Sequence, residues 1–446
     1  VTLAVTSLAI RDFRNLARVE LAMPRAGVVL VGPNGHGKTN FLEAIHYLHT
    51  LRSVRGARDV DLVRFGAEGF HVGARVSGAA VDEVRVGFAR AAKRKRVLLD
   101  GVPCERLADA FGAVPSVMFS PRDVELVSGA PTARRRFLDI ALATTSRRYL
   151  VALQRYRAAL VRRNAALREA ARRGDGAARV SVWEPALAEA GAVLWCERVR
   201  WTRWAAPRLA ERCAAIGERE RVTLTYHSSL EVPASGGDDE GVVRDALATA
   251  LDRDRAHDLR RMLTHAGPHR DDLALKLGGR VMRTFASAGQ QRTAAIALRL
   301  VERETLRDGV GRAPLVLLDD PFAELDVDRA RRILEVLLDG GPPVSTAAGS
   351  GAGEGTESPA AGVARTDAVR AMVPPAVVGG TAGAEAAEAA APAGAGVRAR
   401  VGAVSAAAAE ERSPGQVVLV VPRGDDVPPA FTALERWEIR DGALHA

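Results

Sequence analysis

The chain has 446 residues, a hydrophobic content of 47% and a formal net charge of +9 at pH 7, which suits two or three folded domains of ordinary soluble composition. No apolar run approaches the roughly 18 residues of a membrane-spanning helix, and the opening "VTLAVTSLAIRDFRN" lacks a signal-peptide layout, so the sequence reads as cytoplasmic with no membrane partner. Cys104, Cys196 and Cys213 have no metal-like spacing, argue against a disulfide framework and read as small buried apolar groups.

In chain order the first informative element is "GVVLVG" (27–32), a valine-rich run of the kind found in a parallel strand buried on both faces. It leads into "GPNGHGKTN" (32–40), which fits the phosphate-loop pattern G-x-x-x-x-G-K-[ST]. Phe41, Ile45 and Leu48 then recur at helical spacing in "NFLEAIHYLHTL" (40–51). Strand, loop and helix stand in the order the pattern needs. Gly32, Pro33, Asn34, Gly35, His36, Gly37, Lys38, Thr39 and Asn40 are the candidate nucleotide contacts. The glycines let backbone N–H groups and the helix N-terminus converge on phosphate oxygens. Lys38 would neutralise the outer phosphates as a catalytic cation, and Thr39 would offer its hydroxyl to Mg2+. The plainer alternative is a glycine turn before a helix.

Residues 70–101 alternate polar and apolar side chains and predict an antiparallel sheet. "AAKRKRVLL" (91–99) falls at a hairpin there, and its basic tip needs to be no more than a soluble turn. Only four of the 63 basic residues are lysines, so the distribution of charge says more than its total. The stretch 147–173 carries nine arginines against one acid, Glu169, with Leu153, Tyr156, Leu160, Asn164 and Leu167 on one helical face. Such a helix docks its apolar side and offers Arg162 and Arg163 to DNA phosphates, with Arg135 upstream as a third candidate. A merely solvated basic face explains the pattern as well.

Further along, "FASAGQQRTAAIALRLVERE" (285–304) places Ser287, Gly289 and Gln290 ahead of an amphipathic helix, whose first-turn N–H groups form a second anion site. Because one phosphate loop already supplies such a site, a second suggests a shared nucleotide; read blandly, Ser287 is an N-cap. In "PLVLLDDPFAELD" (314–326), Asp319 and Asp320 end an apolar strand, where ligands of open α/β sheets collect. Asp319 is the candidate Mg2+ ligand beside Thr39. Asp320 is the candidate catalytic residue, positioned to orient or deprotonate the attacking water. A strand terminus and helix cap is the alternative for both acids.

The order of phosphate loop, S-x-G-Q and aspartate pair is the layout of ABC-class ATPases. The helical segments between them, including 183–216, are too short for a long coiled-coil arm. On "FRN" (13–15), 51–66, 118–139, "GPHRDDLAL" (267–275), "ASAGQQRT" (286–293) and "LLDDPFAELD" (317–326), the chain resembles the RecF family of ABC/SMC-type ATPases. The expected fold is α/β: an ABC-type P-loop ATPase head with an antiparallel β subdomain and a mostly helical lobe inserted. The expected parts are head at 1–135, lobe at 136–264, head again at 265–340, an insertion at 341–414 and final head strands at 415–446. The resemblance implies ATP and Mg2+ as cofactors, a homodimer on ATP, and Ser287, Gly289 and Gln290 reaching the partner's nucleotide. It also implies weak DNA-stimulated hydrolysis, binding at single-strand/duplex junctions, and RecR and RecO as partners in loading recombinase during repair and replication.

The chain departs from that pattern in several places. Residues 341–414 hold 43 Ala, Gly or Pro among 74 residues and no Leu, Ile or aromatic, too little apolar surface to offset chain entropy, so they read as a disordered insertion. Asp320 stands where ABC enzymes usually carry glutamate, and the shorter carboxylate predicts slow hydrolysis. "PRGDDVPP" (422–429) has no switch histidine, leaving Arg423 or Asp425 as candidates, and Arg122 stands near an expected glutamine, leaving Ser120 or Asp123. Two function classes follow: a DNA-dependent ATPase switch, and a DNA-binding scaffold for which ATP is a structural ligand. A transporter energiser is disfavoured by the size of the helical insert.

Overall fold

The computed structural model describes residues 2–173, 177–232, 239–322, 325–338 and 415–445. The Ala/Gly/Pro-rich segment at 341–414, read above as a disordered insertion, lies outside these residues.

The chain opens with the hairpin β1 (Ala4–Phe13) and β2 (Leu16–Ala22), then β3 (Gly27–Val31), α1 (Lys38–Thr50) and the single turn α2 (Asp59–Leu62). β4 (Gly69–Ser77), β5 (Glu83–Ala89), β6 (Arg94–Leu99) and β7 (Val102–Pro103) follow as a meander. Their alternating burial gives one core face and one wet face, and with β1 and β2 they form an antiparallel sheet ordered β2-β1-β4-β5-β6-β7. The antiparallel reading of 70–101 therefore holds, and so does the hairpin, with exposed Lys93 in the turn between β5 and β6, although the rest of the basic run belongs to the strand. Arg94, Lys95 and Arg96 lie within β6, and Lys95 is largely buried, paired with Asp59 at 3.0 Å and set 4.9 Å from the Tyr47 ring centre.

Next come β8 (Ser116–Phe119), α3 (Glu125–Ser128), α4 (Pro131–Thr145) and the long helices α5 (Arg147–Arg173) and α7 (Glu184–Ile216), separated by α6 (Ala177–Ser181). Beyond β9 (Val222–His227) and α8 (Glu240–Arg261), the chain pairs β10 (Asp272–Leu277) with β9 and with β11 (Arg280–Val281). The short α9 (Met282–Phe285) leads to α10 (Ala288–Val310), β12 (Leu315–Asp319) and α11 (Val327–Leu338). β13 (Val417–Val421), β14 (Glu435–Arg440) and β15 (Ala443–His445) end the described chain.

The central sheet runs β15-β14-β3-β13-β12-β8, parallel throughout except for β15. Continuous apolar runs are needed here because both faces are covered, and all five residues of β12 and of β13 are buried. Alternation along each strand divides the interior in two. Val28, Leu30, Leu317 and Val418 pack with α1 and the antiparallel sheet, whereas Val29, Leu318, Leu419 and Val421 pack with the helices. On that helical side α7 is tied to α10 by Trp201 Nε1 donating to Thr305 Oγ1 at 3.0 Å and by Arg212 with Glu304 at 2.6 Å. The fold is an α/β ABC-type head with an antiparallel β subdomain and a mostly helical lobe. Cys196 and Cys213 are buried and outside any disulfide, and Cys104 is half-buried. Among the described residues no helix is long and apolar enough to cross a membrane.

Candidate nucleotide-binding site

β3 delivers the chain into the glycine-rich loop at the C-terminal edge of the parallel strands, and α1 leaves from it. Two of the glycines are required by geometry. Gly37, just ahead of α1, has φ +108°, a left-handed conformation that favours glycine. A Cβ on Gly32 would lie 2.4 Å from the Ile439 carbonyl oxygen of β14. Lys38 is buried, and its ammonium donates to the carbonyls of Gly32 at 2.5 Å and Pro33 at 2.9 Å. Burial lowers its pKa, while Asp319 and Asp320 act in the opposite direction.

Thr39 and Asp319 are 280 residues apart, yet the Thr39 hydroxyl donates to Asp319 Oδ1 at 2.8 Å. Burial raises the Asp319 carboxyl above its ordinary range, and the Thr39 hydrogen bond and the Arg55 charge offset part of that. Asp320 follows at the end of β12 with φ +47°, its N–H donating to the Val420 carbonyl of β13 at 3.2 Å. Strand pairing therefore fixes the turn that presents it. Lys38, Thr39, Asp319 and Asp320 thus share one corner, with a cavity of about 440 Å³ beside Thr39 and Asp319 that Arg55, Ser120, Asp123 and Arg299 also line.

Several residues of this corner carry no motif. Arg55 donates to Asn40 Oδ1 at 3.1 Å, and Asn40 Nδ2 donates to Asn15 Oδ1 at 2.8 Å. Glu43 is buried within α1 and accepts from Arg14 at 3.1 Å and from Ser53 Oγ at 2.5 Å. This network orients Arg55 toward Asp319. "FRN" and the stretch after α1 were conspicuous in the sequence, but nothing in either assigned these pairings. His36 is held from the other end of the chain: its carbonyl accepts from Gly442 N at 3.0 Å, and its Nδ1 lies 3.2 Å from Asp441 Oδ1.

Ser287, Gly289 and Gln290 sit elsewhere. Ser287 caps α10: its Oγ accepts from Gln290 N at 3.3 Å, and its N–H donates to Gln290 Oε1 at 2.9 Å. Ser287 is exposed, and Gln290 Nε2 donates to Glu218 at 3.4 Å. Among the described residues, no hydrogen bond or ion pair links Ser287–Gln290 to the loop at 32–40. Within one chain the two anion-directed helix starts are therefore separate.

Of the coupling candidates, Asp123 accepts from Ser120 N at 2.7 Å and pairs with half-buried Arg299 of α10 at 2.7 Å. Arg299 also binds Glu302 at 2.7 Å. Arg122 contributes only to the wall of the cavity. Arg423 is exposed and committed to Asp426 at 3.1 Å, and Asp425 is exposed beside it.

The candidate DNA contacts divide. Arg163 is fully buried, donating to Asp258 at 2.6 Å, Thr264 at 2.9 Å and Glu184 at 2.9 Å. This corrects the expectation that it faces DNA: it is the ion-paired interior of the lobe. Arg162 is exposed, its guanidinium 5.1 Å from the Trp183 ring centre. Arg135 is half-buried and donates to the Asp271 carbonyl at 2.8 Å and to Thr132 Oγ1 at 3.3 Å.

Residues 4–340 match the family model of the RecF/RecN/SMC N-terminal domain. The DNA replication and repair protein RecF of Anaeromyxobacter dehalogenans is 42% identical over 338 residues, covering 74% of this chain and 88% of its own. The proteins of that name from Symbiobacterium thermophilum, 36% identical over 340 residues, and Myxococcus xanthus, 35% identical over 345, are covered to 89% and 88% of their lengths, over 75% and 76% of this chain. Among solved structures, the recombination mediator protein RecF of the RecFOR pathway superposes in its RecF-ATP form with a TM-score of 0.76 at 24% identity, over 100% of this chain and 97% of that one. Its RecF-ATPrS form gives 0.75 at 24% identity, over 99% and 98%. At that identity the two structures speak to the fold, and the sequence relatives speak to descent. The chain belongs to the RecF family of DNA replication and repair proteins.

Proposed function

We propose that the chain is an ATP-driven switch in DNA repair and replication that dimerises on ATP, holds DNA at single-strand/duplex junctions and helps load recombinase with RecR and RecO in the cytoplasm. The observation that carries this reading is the Thr39–Asp319 hydrogen bond, 2.8 Å long, which brings a hydroxyl and a carboxylate together beside the phosphate loop. Hard oxygen donors of this kind suit Mg2+, and Thr39 and Asp319 would hold it. When bound, it supplies charge neutralisation on the phosphates.

In this reading the N–H groups of residues 32–40 orient the phosphates. Lys38 exchanges its loop carbonyls for phosphate oxygens, and Asp320 takes the proton of the attacking water. Ser287, Gly289 and Gln290 serve the nucleotide of a second copy, which is consistent with their separation from the loop within one chain and the exposure of Ser287. The head would comprise 1–135, 265–340 and 415–446, with 136–264 as lobe. Deleting most of 341–414 is then expected to leave ATP binding intact. Asp320, one methylene shorter than glutamate, supports slow hydrolysis used for release.

The test is sedimentation of wild type and Lys38→Ala with and without Mg-ATP, repeated on a gapped duplex while hydrolysis is followed. Expected are an ATP-dependent dimer that retains the duplex and DNA-stimulated hydrolysis, both absent from Lys38→Ala. Equal duplex binding by a monomer without ATP would replace the switch with a scaffold.

A further inference from the structure

Between the β5–β6 hairpin and helices α4 and α5 lies a cavity of about 1050 Å³ that adjoins the nucleotide corner at Thr50, Arg136 and Ile140 but is lined by none of the loop residues 32–40, nor by Asp319 or Asp320. Its rim carries Arg52, Lys93, Arg94, Arg135, Arg136 and Arg157. The acids that line it, Asp59 and Asp139, are already committed: Asp59 to Lys95 at 3.0 Å, Asp139 to Arg198 at 2.7 Å and Arg157 at 2.8 Å. Arg135 and Arg136 donate to the main-chain carbonyls of Asp271 at 2.8 Å and Ser53 at 2.5 Å, which carry no compensating charge. Arg52, Lys93 and Arg94 are exposed and make no ion pair with any described residue. Burial lowers the pKa of Arg136, and the neighbouring positive Arg52 and Arg299 lower it further.

The floor is of the opposite character. Leu107, 45% exposed, and half-buried Phe111 face the cavity beside Leu150 and Leu153 of α5. Like charges crowded around an apolar floor are costly unless an anion with flat apolar parts fills the space. A duplex cannot: its bases are stacked inside, and its persistence length of about 150 base pairs keeps it from bending into a pocket. A single strand offers phosphates and bare bases together, the combination that a basic groove with an apolar platform accepts.

We propose that this cleft holds a few nucleotides of single-stranded DNA, phosphates on the arginine rim and bases against Leu107 and Phe111. The assignment rests on the reading of the chain as a DNA-binding ATPase and adds the place where the single-stranded arm of a junction is gripped.

The test compares Arg52→Ala/Arg94→Ala with Arg11→Ala/Arg25→Ala, which removes the same charge from exposed positions away from the cleft. Anisotropy of labelled oligothymidylate and of a blunt duplex is followed across a salt series. The cleft variant is expected to flatten the single-strand slope of log K against log salt by about 1.4, at about 0.7 per phosphate contact. Its duplex slope and ATP-dependent dimer stay as in wild type, as does every slope of the control. A photoreactive thymidine in the oligonucleotide is expected to crosslink to the peptide containing Leu107 and Phe111. Unchanged single-strand slopes, or crosslinks only outside the cleft, overturn the assignment while leaving the switch reading intact. Equal flattening for duplex makes the cleft a duplex surface and also overturns it. Failure of wild type to bind either DNA overturns the DNA-binding reading along with it.

Discussion

Arg163 in the lobe and Arg52, Arg135 and Arg136 in the neighbouring cleft are the same residue type in similarly basic stretches, yet their surroundings are opposite. Arg163 is enclosed by the carboxylates of Asp258 and Glu184 at 2.6 and 2.9 Å. Arg52, Arg135 and Arg136 meet carbonyl or hydroxyl oxygens or solvent, whereas Arg157 on the same rim pairs with Asp139. A basic run therefore counts cations without saying what they do. The deciding feature is whether a carboxylate lies within reach, because a buried cation without one is strongly disfavoured.

The sharpest way to break this contrast is Arg163→Ala, which removes the central cation between two buried carboxylates, leaving Glu184 to Arg255 at 2.5 Å and Asp258 to His265 at 2.7 Å, and is expected to destabilise the fold by about 3 kcal/mol, the low end for a broken buried pair. Denaturant unfolding would measure it, and a loss comparable to that of an exposed arginine would erase the distinction. His49 extends the comparison to a buried group kept neutral. Burial holds its pKa at about 4, against a bond to the Ser116 carbonyl. The unfolded chain takes up this proton near pH 6.5 and the folded chain does not until about 4, so stability is lost as pH falls through that window. The loss attributable to His49 is of order 3 kcal/mol, and His49→Gln is expected to flatten that part of the pH profile of the unfolding midpoint.

Lys38→Ala probes a cation held ready rather than neutralised. Losing a charge-assisted contact worth about 1.5–3 kcal/mol is expected to weaken ATP binding by roughly 10- to 100-fold in calorimetry, with little change in unfolding. The smallest effect belongs to Arg162→Ala. Its stack on Trp183 is exposed, so about 0.5–1 kcal/mol is expected from thermal unfolding. A cost near that of Arg163 would show that adjacency on α5, not enclosure by carboxylates, sets the effect.

The phosphate loop was legible because its chemistry is contiguous: Gly32 to Asn40 bring strand end, turn and helix start within nine positions. Asp319 and Asp320 were legible because a buried strand ends in them. Arg163 was misread because its partners lie 21 and 95 residues away. The signal was present all the same: Tyr156, Arg163 and Leu167 recur at helical spacing, which puts Arg163 on the buried stripe. Glu43 and Arg55 were missed for a related reason, since an acid inside an apolar helix shows nothing of the arginines that converge on it from Arg14 and Arg55. The cleft could not be seen at all, because its rim draws on β5–β6, the segment after α1, α4 and α5, which only the tertiary fold brings together.

The order of strands also bears on how the protein is made. β13 lies between β3 and β12, and the turn at Asp441 and Gly442 touches His36 of the loop. Synthesis runs from the N-terminus, so a nascent chain emerging from the ribosome already carries the loop, the acids and both flanking strands while the middle of its parallel sheet is still unmade. A product truncated before residue 417 lacks the strand to which β3 and β12 both pair. The phosphate loop at the end of β3 and the acids at the end of β12 therefore take their places side by side only once the last part of the chain has been made.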